Sequence, residues 1–188
     1  IVNDFAAMAR AIPEIPNDSF ETVIESHFSP EGPILVTGPG TGHGVSTLIQ
    51  SVTGGWRVMT GEGGHSAFAP RNMREAAIRD VIARTYNYVS VEMIVSGRWL
   101  MPVYEAICEL EGVTPEDLSP QNILDRADAG DKVCVEVCKF RANALMGAVG
   151  DAALITGAHA GVVLTGGVAE RMVKWLRTTE ASDRFLER

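Results

Sequence analysis

The decisive stretch of this sequence is Ile34-Leu35-Val36-Thr37-Gly38-Pro39-Gly40-Thr41-Gly42-His43-Gly44-Val45. An apolar run ends at Thr37-Gly38, a glycine-rich turn follows, and a second β-branched segment begins at Val45. This pattern predicts a strand, a tight loop and a second strand. Glycines let the backbone come close to a ligand, and successive N–H groups in such a loop suit an anion such as phosphate. A plain hairpin turn is the alternative interpretation.

The loop belongs to neither of two common nucleotide motifs. No Gly-Lys-Ser/Thr follows it, as a Walker A loop requires, and the G-x-G-x-x-G spacing of a dinucleotide fingerprint is not reached. A second strand-to-glycine turn occurs at Gly161–Gly167, where it opens a predicted helix at Val168–Arg177. A helix N-terminus behind a Gly-Gly turn also favours an anion or nucleotide.

Length and composition limit the possible classes. The chain has 188 residues, of which 46% are hydrophobic and 21% charged, as is typical of one globular domain with a sizeable core. Its formal net charge of -8 disfavours nucleic acid and anionic membranes as partners, because no basic tract offsets it. Three cysteines indicate reduced core thiols in a cytoplasmic protein rather than disulfides, and a zinc site would need more ligands.

Hydrophobic periodicity and breakers predict the remaining elements. The meander continues through a strand at 45–52 and a third strand at Trp56–Thr60, and a later strand covers 161–165. The apolar stretch Ala144–Ala169 is long enough for a membrane span, but its glycines and its change of pattern favour a buried helix followed by a buried strand. Helices are expected at 5–12, 72–87, from Ser90, at Trp99–Leu110, 121–128, 131–155 and 168–177, and a turn or a helix is expected at 18–27.

Polar residues with possible chemistry lie in three places. They are the pair Asn3-Asp4, the glycine-rich run Gly61-Glu62-Gly63-Gly64-His65, and Glu92. Each also has a structural explanation. Asn and Asp are good helix caps, the glycine run is consistent with a turn, and Glu92 would lie in the first turn of a helix capped by Ser90, where the helix dipole stabilises a carboxylate.

Taken together and in this order, these segments resemble the bacterial ATP-dependent glucokinase family of hexokinase-type sugar kinases. The matching segments are Asn3-Asp4-Phe5, the 37–44 loop, Gly61–His65, Val91–Gly97 and Leu164–Gly167, which span nearly the whole chain. The resemblance implies an α/β fold: the large domain of a ribonuclease H-like, actin-like ATPase, with a mixed central sheet and flanking helices.

The resemblance also implies roles for individual residues. Asp4 resembles the general base that accepts the proton of the sugar 6-hydroxyl as this attacks the γ-phosphate of ATP. Asn3, Glu62, His65 and Glu92 match residues that bind the sugar hydroxyls, and Asp4 shares that pocket. Gly40, Thr41 and Gly42 resemble the loop facing the ATP phosphates, and Gly166 and Gly167 the turn near the adenosine. The expected ligands are glucose or a close hexose and ATP, with Mg²⁺ carried by the nucleotide and no metal bound by the protein itself.

Part of the family pattern is missing from this sequence. The Asp-x-Gly-Gly-Thr-Asn phosphate loop of the family's small domain is not present. We therefore expect residues 1–14 to be the hinge and end of a small domain, residues 15–188 to be the large domain, and the chain alone to be inactive. Pro39 removes one N–H from the glycine loop, and His43 is a further departure from the family pattern.

Two other functions remain open from the sequence. A sugar-binding regulatory relative would keep the pocket without transferring phosphate, although the presence of Asp4 speaks against it. A structural or oligomerisation domain would use the glycines as turns and the acids as caps. Family members are usually dimers, so a homodimer is expected, with Trp99–Leu110 as a candidate contact.

Overall fold

The computed structural model describes residues 4–25 and 31–187. Within these ranges the chain forms four strands and eight α-helices. In chain order they are α1 (Asp4–Ala11), β1 (Ile34–Pro39), β2 (His43–Gln50), β3 (Trp56–Gly61), α2 (Met73–Tyr86), α3 (Val91–Val95), α4 (Leu100–Glu111), α5 (Pro120–Asp128), α6 (Lys132–Thr156), β4 (Gly161–Leu164), α7 (Gly167–Leu176) and α8 (Thr179–Leu186). Short 3₁₀ turns cover Ile12–Glu14, Asn17–Ser19, Gly63–His65 and Gly97–Trp99.

The four strands form one mixed sheet in the order β3-β2-β1-β4. β1, β2 and β3 are an antiparallel meander, whereas β4 lies parallel to β1, with Leu164 opposite Thr37. Parallel strands end at the same edge of a sheet, so the glycine turns that follow β1 and β4 lie side by side. The predicted mixed sheet, made of the meander and the 161–165 strand, is confirmed.

Both faces of the sheet are covered. Leu35 and Val36 are fully buried but belong to different cores, because successive strand side chains point to opposite faces. The larger core packs β1 against the helices, with α6 at its centre. The smaller core packs Ala9 and Ile12, at the end of α1, against Val36 and Leu48. This second layer places the N-terminus of α1 beside the glycine loop.

Helix α6 accounts for the apolar stretch at the end of the sequence. Its first turn is capped by Asp131, whose side chain accepts the Cys134 N–H at 2.9 Å, and it ends at Gly157 in the left-handed region with φ of 62°. The stretch is therefore a helix followed by a strand, as predicted. Across 4–25 and 31–187, none of the helices combines the length and apolar run that a membrane span requires. Cys108, Cys134 and Cys138 are free and buried, as expected for core thiols.

The helices differ from the predicted ones in two places. The segment 18–27, predicted as a turn or a helix, is a 3₁₀ turn at Asn17–Ser19 followed by irregular chain to 25, and residues 26–30 lie outside the described ranges. The β-branched run Thr22-Val23-Ile24 disfavours a helix, and Val23 and Ile24 pack on the larger core from a non-helical segment. Helix α8 was not predicted, although its cap is local: the Thr178 side chain accepts the Ala181 N–H at 3.3 Å.

Helix α4, the candidate dimer contact, packs most of its apolar side chains within this chain. Its buried residues belong to the core of this chain: Leu100, Val103, Tyr104, Ala106, Ile107 and Cys108. Glu105 and Glu109 are among the exposed side chains on its other face. The apolar pattern of Trp99–Leu110 therefore reflects packing within the chain.

Candidate functional site

The two glycine turns touch through their backbones. A β-carbon built on Gly38 would lie 1.7 Å from the carbonyl oxygen of Thr165, and one built on Gly166 would lie 2.8 Å from that of Pro39. The Thr165 N–H donates to the carbonyl of Thr37 at 3.0 Å. Gly166 also has a φ of 98°, which L side chains rarely adopt. Glycine is therefore required at both positions by a close approach of two main chains.

The loop between β1 and β2 keeps only part of its N–H groups available. The Gly40 N–H donates to the Gly42 carbonyl at 2.8 Å, and the Gly40 carbonyl accepts the Gly97 N–H at 2.8 Å. Within the described chain, the N–H groups of Thr41 and Gly42 form no hydrogen bond. Gly40 instead contributes space, because a β-carbon there would meet nothing within 4 Å.

The N-terminus of α7 opens directly behind this loop. Gly166 is its N-cap residue and provides no side-chain hydrogen bond to the first turn. The first N–H groups of a ten-residue helix carry a partial positive charge and suit an anion. The Thr41-Gly42 peptides and the start of α7 thus place two sets of main-chain donors at the same edge of the sheet.

Glu92 lies against the glycine loop. It is in the first turn of α3, whose N-cap Ser90 accepts the Met93 N–H at 3.3 Å, as the sequence predicted. The half-buried carboxylate of Glu92 accepts the His43 N–H through Oε2 at 3.0 Å. A β-carbon built on Gly42 would lie 2.8 Å from the same Oε2 atom. The capping and site interpretations of this region are therefore compatible, because Ser90 supplies the cap and the Glu92 side chain reaches the loop.

Glu62 and His65 lie on an adjacent loop. Their side chains are mostly exposed, and Glu62 Oε2 is 3.8 Å from His65 Nε2. The loop is seated on the start of β2, because a β-carbon on Gly64 would come within 2.4 Å of the His43 carbonyl oxygen. Its far end is held by the Tyr88 hydroxyl, which donates to the His65 carbonyl at 2.7 Å. Glu62, His65 and Glu92 thus lie on segments that all contact His43.

The predicted residues at the N-terminus are only partly described. Asn3 lies outside the described residues, and Asp4 is described only as the first residue of α1. The next residue, Phe5, packs where a side chain at Gly44 would be: a β-carbon there would lie 2.4 Å from the Phe5 ring. The start of α1 therefore lies one residue along β2 from His43.

His43 is the residue whose importance the sequence did not show. It is 8% exposed, and burial lowers the pKa of its imidazole from 6.5 to about 4, so the ring is neutral at physiological pH. Nε2 is 2.9 Å from the Thr37 hydroxyl, and Nδ1 is buried without a hydrogen-bond partner in the described chain. The sequence showed that His43 departs from the family pattern. The contacts of its ring, however, depend on strand pairing, which local sequence does not predict.

Arg141 was also missed. This buried residue of α6 donates through Nε to the Ile94 carbonyl at 3.0 Å, and through Nη2 to the carbonyls of Val95 at 2.6 Å and Ser96 at 2.8 Å. It therefore holds the C-terminal end of α3 and the segment leading to Gly97. Burial lowers the pKa of its guanidinium to about 10. An arginine between the apolar residues Phe140 and Ala142 of a predicted helix was the available signal.

A cavity lies near the predicted site but does not coincide with it. About 330 Å³ in volume, it lies between β2, β3 and α6, and it is bordered by Thr37 and His43 but by none of the predicted site residues. In the described ranges, His, Cys, Asp and Glu side chains form no group of three suited to a metal ion. The candidate site is thus an open surface where main-chain donors meet a carboxylate and an imidazole.

Solved structures with the same fold identify the class. Glucokinase from an Antarctic psychrotroph superposes with a TM-score of 0.91 at 29% identity, over 100% of this chain and 58% of that one. Glucokinase from Balamuthia mandrillaris in complex with glucose superposes with a TM-score of 0.74 at 25% identity, over 87% of this chain and 47% of that one. A ROK family glucokinase from Streptomyces griseus, in complex with glucose and AMPPNP, superposes with a TM-score of 0.52 at 19% identity, over 84% of this chain and 52% of that one. At this identity the match shows the fold alone. The domain therefore has the actin-like ATPase fold of the sugar kinases.

The sequence comparison identifies the family within this class. The Glucokinase family profile matches residues 1–188, and the chain belongs to that family. The glucokinase of Nitrobacter hamburgensis is 37% identical over 186 residues, which cover 98% of this chain and 58% of that protein. The chain thus spans little more than half the length of the curated relatives it matches.

Proposed function

We propose that the whole protein carrying this chain transfers the γ-phosphoryl group of ATP to the 6-hydroxyl of glucose. One observation carries the proposal: the Glu92 carboxylate lies against Gly42, beside the N–H groups of Thr41 and Gly42, which form no hydrogen bond within residues 4–25 and 31–187. A carboxylate is a good acceptor for sugar hydroxyls, and main-chain N–H groups suit phosphate. The two ligand chemistries needed for sugar phosphorylation therefore occur next to each other.

The sugar-binding roles follow from the polar residues. Glu92 is proposed to accept a sugar hydroxyl through Oε1, because Oε2 already accepts the His43 N–H. Glu62, His65 and Asn3 would bind other ring hydroxyls. Asp4 is proposed as the base that accepts the proton of the 6-hydroxyl. Because the transferred group is metaphosphate-like in most analyses, positioning and charge stabilisation matter more than strong basicity.

The nucleotide roles follow from the two turns. Thr41 and Gly42 would donate their N–H groups to the phosphates, and Gly40 would leave room for them. Gly166 and Gly167 would line the path of the nucleotide at the start of α7. Mg²⁺ usually binds substrate phosphates, water and one or two carboxylates, so it is proposed to arrive with ATP. When bound, it would neutralise charge on the transferred phosphoryl group.

The remaining expectations belong to the same proposal. Residues 1–14 would form the hinge, and residues 15–188 the large domain of a two-domain kinase. Three free, buried cysteines are consistent with a reducing, cytoplasmic location. The homodimer stays a prediction, and a contact through Trp99–Leu110 would have to use the exposed face of α4.

An assay that couples ADP release to glucose phosphorylation tests the function. The whole protein should turn over glucose at an ordinary rate of about 10 s⁻¹, and the 188-residue chain alone should show no appreciable turnover. In the whole protein, Asp4→Ala should abolish transfer but leave glucose binding, measured by titration calorimetry, largely intact. Glucose binding without transfer in the wild type would favour the regulatory alternative, and no binding would favour a structural domain.

A further inference from the structure

His43 connects the segments that carry the candidate sugar-binding residues. Its N–H holds Glu92 Oε2 at 3.0 Å, and Gly64, between Glu62 and His65, is seated on its carbonyl group and Cβ atom. As the first residue of β2 it pairs with Pro39 across the glycine loop. A shift of the His43 peptide would therefore move Glu92 and the Gly64 loop together.

The Thr37 hydroxyl decides which ring nitrogen of His43 carries the proton. Thr37 Oγ1 is 2.8 Å from the Gly44 carbonyl oxygen, which can only accept, so the hydroxyl proton points there. Thr37 Oγ1 is then an acceptor for His43 Nε2 at 2.9 Å. The imidazole must therefore carry its proton on Nε2. Nδ1 is left as a buried lone pair without a partner in the described chain.

This arrangement ties the ring to the backbone on both sides of the loop. Thr37 is 1% exposed and lies in β1, so its hydroxyl is a fixed acceptor. The ring in turn fixes the His43 peptide, whose N–H meets Glu92. The chain of contacts runs from Gly44 through Thr37 and the His43 ring to the His43 N–H, and then to the carboxylate.

We propose that His43, as the Nε2–H tautomer bonded to Thr37, is a positioning residue that sets where Glu92 meets the sugar. This inference rests on the proposed glucose phosphorylation. His43 does not touch the sugar or the phosphates. Its effect is on the geometry of Glu92 and of the Gly64 loop, so changes here should act on glucose more than on ATP.

The test is steady-state kinetics of the whole protein with four variants. His43→Phe removes the donor, and Thr37→Val removes the acceptor with little change in shape. His43→Gln and Thr37→Ser keep a donor and an acceptor, respectively. Losing a buried hydrogen bond typically changes a binding constant by about tenfold. His43→Phe and Thr37→Val should therefore raise the glucose KM by about that factor. The ATP KM should change less than about twofold, and the conservative pair should recover most of the loss.

His159→Phe is the matched control, because His159 is exposed and precedes β4, at the opposite end of that strand from the Gly166 turn. A glucose KM that stays at the wild-type value in both His43→Phe and Thr37→Val would overturn the positioning role, whatever their stability. If His43→Phe does not fold, Thr37→Val against Thr37→Ser decides the question.

Nuclear magnetic resonance of the whole protein labelled with ¹⁵N gives a readout that is independent of activity. Long-range proton–nitrogen correlations should show His43 protonated on Nε2, and an Nδ1–H tautomer would refute the inference even in an active enzyme. A wild type without glucose-dependent ATP consumption would overturn the proposed function and, with it, the role of His43. An active wild type with unaffected variants would overturn the inference alone.

Discussion

Mild acid should destabilise this chain through His43. The imidazole is buried and neutral, and burial lowers its pKa from 6.5 to about 4. As the pH falls below about 6.5, the unfolded chain takes up a proton at this position that the folded chain does not. The free energy of unfolding therefore falls between about pH 6.5 and about pH 4, and the loss from this residue is complete below the lower value.

The magnitude follows from the two pKa values. They differ by 2.5, which corresponds to about 3 kcal/mol at about 1.4 kcal/mol per pKa unit. Between about pH 7.5 and about pH 5, most of the unfolded chains but few of the folded ones become protonated at His43. The expected loss over that interval is about 2 kcal/mol. The nearby Glu92 carboxylate opposes this effect, but it contacts the backbone N–H of His43 rather than the ring.

Urea unfolding of wild type and His43→Gln at the two pH values measures the effect. Glutamine does not titrate, so the carboxylates and other groups that both proteins share cancel in the comparison. The wild type should lose about 2 kcal/mol more than His43→Gln on acidification. His159→Gln, at an exposed position, should behave like the wild type. Equal losses in the wild type and His43→Gln would show that His43 titrates alike in both states and would refute the burial argument.

Three further substitutions test the close contacts, and a fourth, Gly40→Ala, serves as a control. Gly42→Ala should displace the Glu92 carboxylate, since the new Cβ would lie 2.8 Å from Oε2, and weaken glucose binding by about tenfold in calorimetry of the whole protein. Gly38→Ala should cost about 3 kcal/mol in urea unfolding, because its Cβ would lie 1.7 Å from a backbone oxygen, whereas Gly40→Ala meets nothing within 4 Å and should cost almost nothing. The buried Arg184 donates to the Glu75 carboxylate through Nη1 at 3.0 Å and Nη2 at 2.7 Å. Glu75→Gln should cost about 3–5 kcal/mol in the same assay, because it leaves this guanidinium without its carboxylate. Wild-type behaviour of Gly42→Ala, Gly38→Ala or Glu75→Gln would contradict the contact that the variant tests, and a large loss in Gly40→Ala would contradict the open space at that position.

Local pattern was sufficient for the parts of the fold that depend on neighbours in sequence. The strand–turn–strand pattern of β1 and β2, the Ser90 cap before Glu92, and the Asp131 start and Gly157 end of α6 are all local signals, and they were read correctly. At 18–27 the caps and composition left a turn and a helix open, and the β-branched run Thr22-Val23-Ile24 is the local feature that disfavours the helix. The side chain of Asp4 and all of Asn3 lie outside what the structure describes, so their roles stay predictions.

The contacts that build the site are of another kind, because they join segments far apart in sequence. β4 pairs with β1 across more than a hundred residues, and only that pairing brings Gly166 against Pro39. These long-range contacts also explain why the glycines of the loop between β1 and β2 are not equivalent. Gly38 is required by a neighbouring strand and Gly42 by Glu92, whereas Gly40 makes no such contact and is the one position where a ligand could enter freely. A sequence motif presents these glycines as one phosphate loop, but the structure separates those that hold the protein together from the one that leaves space.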